Sequence, residues 1–206
     1  MRQPKSMRGL EELGRMRLSQ SFFMRDFLHS EIASFYGMRN IPDDPDLAIE
    51  AGIQLCERLL EPLHQSFGSV AVRSAYRSCE VNAFGNKNNL NCAVNEANYG
   101  GHIWDRRDAN GHIGATACIV IPWFADRYAA GADWRALAWW IHDHLPYSEM
   151  YFFPKLAAFN LTWSEAPIRR IDSYIAPRGL LTRPGMENWA DDHSQWYEGY
   201  PKLKKF

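Results

Sequence analysis

The chain has 206 residues, enough for one domain or for a domain with a tail. Hydrophobic residues make up 46% and aromatic residues 14%, which is typical of globular proteins and excludes disordered or collagen-like chains. Lysine and arginine total 23 against 24 aspartates and glutamates, a formal net charge of −1. A chain without excess positive charge has little affinity for a polyanion, so we expect no nucleic-acid partner.

Targeting features and cysteines indicate a cytoplasmic protein. No apolar run approaches the roughly 20 residues that a membrane-spanning helix needs, so no membrane partner is expected. Residues 1–17 are rich in arginine and lack the apolar segment of a secretory signal. The cysteines do not form a C-x-x-C pair and do not imply disulfides; they are Cys56, Cys79, Cys92 and Cys118.

The first half of the chain is predicted to be helical. Residues 1–17 form a basic N-terminal arm outside the core, because charges are dense and apolar positions are scattered. Apolar spacing over 26–36 predicts a short amphipathic helix that ends at Gly37. A longer helix runs from a cap at Asp44 to Gly68, and at Pro62, which lacks a backbone donor, we expect a bend or a tightened last turn. A strand over 70–72 follows.

The middle of the chain predicts an α+β domain over 18–165. Residues 74–114 are rich in Asn, Gly and Asp without a regular period, which predicts a long irregular excursion. Strands are predicted over 117–121, 149–153 and 157–163. A helix over 133–144 should turn Trp134, Leu137, Ala138 and Ile141 inward. Residues 166–206, rich in Pro and Gly, are predicted to be an irregular C-terminal tail that wraps the body.

A local motif resembles a known family. Residues 70–78, Val-Ala-Val-Arg-Ser-Ala-Tyr-Arg-Ser, and then 80–82, Glu-Val-Asn, resemble the strand and Ser-Gly-Tyr-Arg-Ser segment of the zinc D-Ala-D-Ala carboxypeptidases and related peptidoglycan peptidases. The resemblance covers roughly residues 22–163. It implies the Hedgehog/DD-peptidase fold, a small antiparallel sheet with helices packed on it.

The same resemblance implies a substrate-binding segment. In the family, the arginine of this motif meets a substrate carboxylate, which here is the role of Arg77. Tyr76, Ser78 and Asn82 are the neighbouring substrate-binding candidates. A planar guanidinium suits a carboxylate, because it can donate two parallel hydrogen bonds. The alternative for Arg77 is a structural ion pair with Glu80 or Asp105.

The metal motif of the family is degenerate in this chain. The family carries the motif Ser-x-His-x-x-Gly-x-Ala-x-Asp and a later His-x-Asp. Residues 111–122 align with the first motif and keep its histidine as His112, but the spacing to the aspartate position is one residue shorter and Cys118 stands there. In the later segment, Asn160 and Thr162 stand at the histidine and aspartate. A second alignment keeps Asp105 but places Asn98 at the histidine. Amide and hydroxyl oxygens are poor zinc ligands, so the resemblance implies an altered zinc site.

A rebuilt site remains open within residues 96–118. Zinc is the possible cofactor, and the candidate metal ligands are His102, Asp105, His112 and Cys118. Glu96 and Asp108 are the candidate catalytic carboxylates that could act as a general base. The alternative is that these groups cap turns and pair with the arginines between them. His142 and His144, near a helix end, are interpreted as helix-terminus residues rather than ligands.

Three functions follow as hypotheses. The first is a binding protein on a peptidase-like scaffold that takes a peptide, a peptidoglycan fragment or another carboxylate ligand through Arg77. The second is an active zinc-dependent peptidase or amidase, a hydrolase with the rebuilt site. The third is a structural or assembly component that docks through the N-terminal arm and the C-terminal tail. The sequence leaves the oligomeric state open.

Overall fold

The computed structural model describes residues 3–204 and shows an α+β fold with one six-stranded mixed sheet. The helices are α1 Met7–Gly14, α2 Glu31–Tyr36, α3 Pro45–Leu55, α4 Glu61–Phe67, α5 Cys79–Lys87, α6 Asn95–Asn98, α7 Pro122–Ala129 and α8 Trp134–His144. The strands are β1 Ala71–Ser74, β2 Gly114–Val120, β3 Glu149–Phe152, β4 Phe159–Ser164, β5 Arg170–Ser173 and β6 Gly179–Thr182. No helix in this part of the chain combines the length and apolar composition needed to cross a bilayer.

The sheet is mixed, which corrects the expectation of a purely antiparallel one. Its strand order is β1-β2-β4-β3-β5-β6, and β3 pairs with β5 in parallel while the other neighbours are antiparallel. After β4, the chain crosses to the free edge of β3 and runs in the same direction as β3. A crossover of this kind leaves no local pattern in the sequence, because it depends on which edge is still unpaired.

Strand register separates an apolar face from a polar face of the sheet. Ile119 on β2 lies opposite Phe159 on β4, which in turn lies opposite Phe152 on β3, and all three are fully buried on the side where α3 packs. The next residues along these strands, among them Cys118 and Asn160, point to the other face because side chains alternate along a strand. The core therefore lies on one side of the sheet.

The long helix predicted over 44–68 is confirmed, and its geometry changes from α to π just before Pro62. The Asp44 side chain accepts a hydrogen bond from the backbone N–H of Leu47 at 3.2 Å, which caps α3. A π-helical segment, Cys56–Leu60, joins α3 to α4, and the helix ends at Gly68. Pro62 lies in the first turn of α4, where the widened segment before it accommodates the missing N–H and the bulk of the ring.

Two regions predicted to be irregular carry regular structure. The 74–114 excursion contains α5 and α6, and α5 starts where the Ser78 hydroxyl accepts from the Val81 N–H at 3.2 Å. The predicted irregular tail over 166–206 supplies β5 and β6. Asn and Gly residues mask the period of α5, and both added strands are only four residues long. Both prediction errors therefore arose from short elements in turn-rich sequence.

The two ends of the chain are packed on the body. Leu13 of α1 is fully buried in the main core, so the described part of the predicted 1–17 arm is not wholly outside it. Residues 1–2 of the arm and 205–206 of the tail lie outside the described residues. The Trp140 indole N–H donates to the Pro201 carbonyl at 2.9 Å, and His193 stacks on Trp139 with ring centroids 3.8 Å apart. The C-terminal segment thus covers a second side of α8 and buries both adjacent tryptophans.

Glu61 is the buried carboxylate that fixes the N-terminal segment to α4. It accepts hydrogen bonds from the Ser19 hydroxyl at 2.7 Å and from the Ser21 hydroxyl and N–H at 2.7 and 3.0 Å. Burial opposes ionisation, but these hydrogen bonds outweigh it and lower the pKa of Glu61. The carboxylate therefore stabilises the folded state in its charged form.

We expect Glu61→Gln to lower the free energy of unfolding by about 1–3 kcal/mol at pH 7, because charge-assisted hydrogen bonds are weakened. Urea unfolding measures the change, with the exposed Glu57→Gln on the preceding turn as the control. Because the pKa of Glu61 is lower in the folded state, its ionised form stabilises the fold fully above the unfolded pKa of about 4.3. The stability difference between wild type and Glu61→Gln should therefore shrink as the pH falls through the lowered pKa. Equal stability of both variants at pH 7 would contradict this role.

Candidate functional site

A cavity of about 710 Å³ opens on the polar face of the sheet. Its floor comes from neighbouring strands, since Ser74 pairs with Cys118, Cys118 with Asn160, and Asn160 with Tyr151. Directly paired residues project from the same face, so these four side chains form one row across β1, β2, β4 and β3. The register that builds the core therefore also builds the cavity floor.

Tyr76 and Arg77 form one wall, and the chain is held firmly there. The Arg77 N–H donates to the His102 carbonyl at 2.8 Å, and the Asn40 side-chain amide donates to the Tyr76 carbonyl at 2.9 Å. Asn40 also accepts from the Ser78 N–H at 2.8 Å. A loop with this many backbone hydrogen bonds presents its side chains in a fixed orientation.

The Arg77 guanidinium has no counter-ion within residues 3–204. One terminal nitrogen lies 2.6 Å from the Cys92 sulfur, and the buried Nε has no hydrogen-bond partner. Neither of the alternative partners, Glu80 and Asp105, forms an ion pair with Arg77. Asp105 lies 3.6 Å from Arg106 instead. A cation is thus left uncompensated at the cavity wall.

His102 contributes a neutral imidazole to the same wall. Its Nδ1 lies 2.7 Å from the Ala75 carbonyl, so Nδ1 carries the proton and donates, which leaves Nε2 as an acceptor. Burial, followed by the positive charge of Arg77, lowers the pKa of His102 to about 3. The ring therefore adds hydrogen-bonding capacity but no charge at neutral pH.

Cys118 lies on the floor as a protonated thiol. Burial, together with the negative charge of Glu31, raises its pKa more than the positive charges of Arg73 and Arg77 lower it. In the described chain, no hydrogen bond joins this thiol to His102. The pair is therefore not arranged as an activated thiolate and its base.

Ser78 and Asn82, two other predicted substrate-binding residues, are used to build the wall. The Ser78 hydroxyl caps α5. The fully buried Asn82 amide donates to the Ala93 carbonyl at 3.0 Å and to the Asn95 side chain at 2.9 Å. These contacts hold α5 against the following segment, and neither side chain lines the cavity.

The remaining predicted residues lie outside the cavity. Asp105 is buried and accepts from the Asp43 N–H at 2.7 Å, while Glu96 is exposed on α6. Asp108 accepts from the backbone N–H groups of His112 and Asn110 at 2.9 and 2.8 Å, and these bonds, that from His112 foremost, lower its pKa. The turn-capping alternative thus describes Asp108. Tyr76, Arg77, His102 and Cys118 are the predicted residues that share the cavity.

A separate cluster of His142, Asp143 and His193 can hold a metal ion, because one ligand atom from each lies within 4.8 Å of the others. His142, which the sequence analysis interprets as a helix-terminus residue, is therefore also a candidate ligand. His193 Nδ1 is 2.8 Å from Asp143 Oδ1, and Tyr197 donates its hydroxyl to the other Asp143 oxygen at 2.8 Å. In the described residues, His102, Asp105, His112 and Cys118 do not form such a cluster. His193 is 50 residues from Asp143 along the chain, so no motif spacing could reveal it.

Aromatic side chains that the sequence analysis missed line the far part of the cavity. Tyr151 and Phe153 alternate with the buried Phe152, and Tyr174 follows β5 beside them. The three consecutive aromatic residues 151–153 are visible in the sequence, but which of them line a cavity depends on which face of the sheet is exposed. The cavity thus joins a cationic wall to an aromatic wall.

The chain matches no family model, no curated protein and no solved structure. The function of the cavity therefore has to follow from the chemistry of its own residues.

We expect the His102 ring to remain neutral, with its proton on Nδ1, from pH 8 down to pH 5. Because the pKa of His102 is lower in the folded chain, the unfolded chain becomes protonated at a higher pH than the folded chain. The free energy of unfolding should therefore be unaffected by His102 protonation above about pH 6.5 and should fall as the pH drops from there toward the folded-state pKa. Nitrogen-15 shifts of the imidazole report both tautomer and charge. Protonation of His102 between pH 5 and 7 would contradict this environment.

Proposed function

We propose that the cavity binds the C-terminal carboxylate of a peptide, with Arg77 as the anion-binding residue. The observation that carries the proposal is the guanidinium without a counter-ion in residues 3–204, positioned on the wall of a cavity large enough for a peptide. A carboxylate would supply the missing charge and accept two hydrogen bonds from the planar fork.

The other polar groups of the cavity favour an anionic ligand with amide groups. His102 and Cys118 are neutral, and Asn160 is an uncharged amide. Glu31, an exposed carboxylate on the lining, forms no ion pair with Arg77 in the described residues, so the charge of Arg77 stays available to a ligand. His102 Nε2 can accept a hydrogen bond, and the Asn160 side chain can donate and accept. These are the groups that an extended peptide backbone next to a carboxylate requires.

Binding is better supported than hydrolysis. The resemblance to zinc D-Ala-D-Ala carboxypeptidases, which we retain as a proposal, implies a catalytic zinc in the cavity. The cavity lining carries His29, Glu31, His102 and the protonated Cys118, but in the described residues these donors do not come together as a group of three that could hold an ion, which does not fit a catalytic zinc centre. Glu96 and Asp108, the candidate general bases for a peptidase or amidase, lie outside the cavity.

The ligand class is a peptide or peptidoglycan fragment that ends in a carboxylate. A single arginine recognises one anionic group, which agrees with the balanced charge of the chain rather than with a polyanion. All four cysteines are free, which supports our proposal of a reducing, cytoplasmic compartment.

We further propose zinc as the ion for the His142, Asp143 and His193 cluster. Two imidazoles and a carboxylate are suitable zinc ligands. His193 and Asp143 have outer partners, since His193 Nε2 lies 2.8 Å from the Asn188 carbonyl and Tyr197 hydrogen-bonds to Asp143. In His142, zinc would replace one of two partners, the Tyr147 hydroxyl at 2.7 Å from Nδ1 or the Trp189 carbonyl at 3.1 Å from Nε2. Zinc bound there would join α8 to the C-terminal segment, which is a structural role.

Arg77→Ala should weaken binding of a free-acid peptide by about 10–100-fold, since hydrogen bonds to charged groups contribute about 1.5–3 kcal/mol. Titration calorimetry with a peptide acid and the matching C-terminal amide measures the effect. Wild type should prefer the acid, and Arg77→Ala should lose that preference. Arg77→Lys, which keeps the charge but not the fork, should fall between them.

Arg58→Ala provides the matched control, because Arg58 is an exposed arginine on the helical layer. This variant should bind like wild type. Unchanged acid binding by Arg77→Ala would exclude the carboxylate-binding function.

Elemental analysis after dialysis against zinc should find about one zinc per chain, retained by His112→Ala and His102→Ala and lost in His193→Ala and Asp143→Asn. In thermal unfolding, zinc should raise the Tm of wild type but not that of His193→Ala or Asp143→Asn. Zinc loss in His102→Ala, with retention in His193→Ala, would instead place the ion in the cavity and favour the hydrolase.

A further inference from the structure

We infer that Tyr151, Phe153 and Tyr174 form a second subsite of the cavity, which takes an aromatic side chain of the peptide bound at Arg77. The inference rests on the proposed function and specifies its ligand. All three rings line the same cavity as Arg77. They also contact one another, with centroids 5.7 Å apart for Tyr151 and Phe153, 4.7 Å for Tyr151 and Tyr174, and 5.8 Å for Phe153 and Tyr174.

The rings are positioned by regular structure rather than by a mobile loop. Tyr151 is paired with Asn160 on the cavity floor, and Phe153 follows two positions later on the same face. The parallel pairing of Phe152 with Ser173 places Tyr174 beside Phe153. Phe152, between the two cavity residues, points the other way and is fully buried in the core. A fixed aromatic surface of this kind binds with little loss of side-chain entropy.

The aromatic surface is left partly open to solvent. The Tyr174 residue is 54% exposed, and Tyr151 and Phe153 are half-buried. Their mutual contacts cover only their facing sides, so the sides toward the cavity remain available. An aromatic side chain of the ligand would bury this apolar area and stack against the rings.

The sheet sets the length of the floor between the end of β1, from which the chain continues to Arg77, and the aromatic rings. Three strand spacings of about 4.8 Å separate the β1 end of the floor from Tyr151 on β3, or roughly 14 Å. An extended peptide advances about 3.3–3.6 Å per residue. The aromatic side chain is therefore about the fourth or fifth residue from the carboxylate. Asn160 lies on the floor between the subsites, where its amide can pair with the peptide backbone.

The test uses five-residue alanine peptides with a free carboxylate and one Phe placed at the second, third, fourth or fifth residue from the C-terminus. Phe at the fourth or fifth position should raise wild-type affinity about tenfold over the all-alanine peptide, and Phe at the second position should not. Tyr174→Ala should abolish this gain while changing the affinity for the all-alanine peptide less than about twofold. Trp196→Ala, which removes a partly exposed ring outside the cavity, should keep the gain.

The outcomes separate this inference from the proposed function. If wild type still prefers acid over amide peptides but ignores the position of Phe, the aromatic subsite is wrong and the carboxylate site stands. If Tyr174→Ala weakens every peptide equally, Tyr174 is structural and the inference fails. If an N-acetylhexosamine joined to a free-acid peptide gains affinity through Tyr174 and Phe does not, the rings bind a sugar instead. Absence of acid binding overturns both proposals.

Discussion

The pairing of β2 with β4 is the constraint on which both core and cavity depend. Ile119 lies opposite Phe159 on the buried face, and Cys118 lies opposite Asn160 on the cavity face. Because side chains alternate along a strand, a slip of β2 by one residue against β4 would turn Cys118 toward the core and Ile119 toward the cavity. Burial of the apolar row therefore stabilises the same register that assembles the polar floor.

An uncompensated charge is the second feature that gives the cavity its character. Elsewhere in the described chain, several arginines are paired with carboxylates, such as Arg106 with Asp43 at 2.7 Å. Arg77 forms no ion pair within residues 3–204, and the protonated thiol of Cys118 and the neutral imidazole of His102 do not compensate its charge. A charge that is partly removed from water without a partner is costly, so an incoming carboxylate can relieve that cost.

The candidate site could be predicted from sequence only where a motif is continuous. Tyr76 and Arg77 lie in one short segment and reach the cavity as a unit. Asp108 and His112 have the side chains of metal ligands or catalytic groups, but the same side chains also cap turns. Residue types in a turn-rich segment therefore do not distinguish a ligand from a turn cap. Only the folded chain shows that Asp108 accepts backbone hydrogen bonds.

The sequence by itself determined the elements that rest on local physics. The helix over Trp134–His144 follows from an Asp133 cap and an apolar period, and its four predicted inward residues are buried. Tertiary structure alone decided that Trp139 and Trp140 are both buried and that His193 meets Asp143, because a segment some 50 residues later in the chain covers α8. Periodicity describes one helix face at a time, whereas the second face depends on what the rest of the chain packs against it.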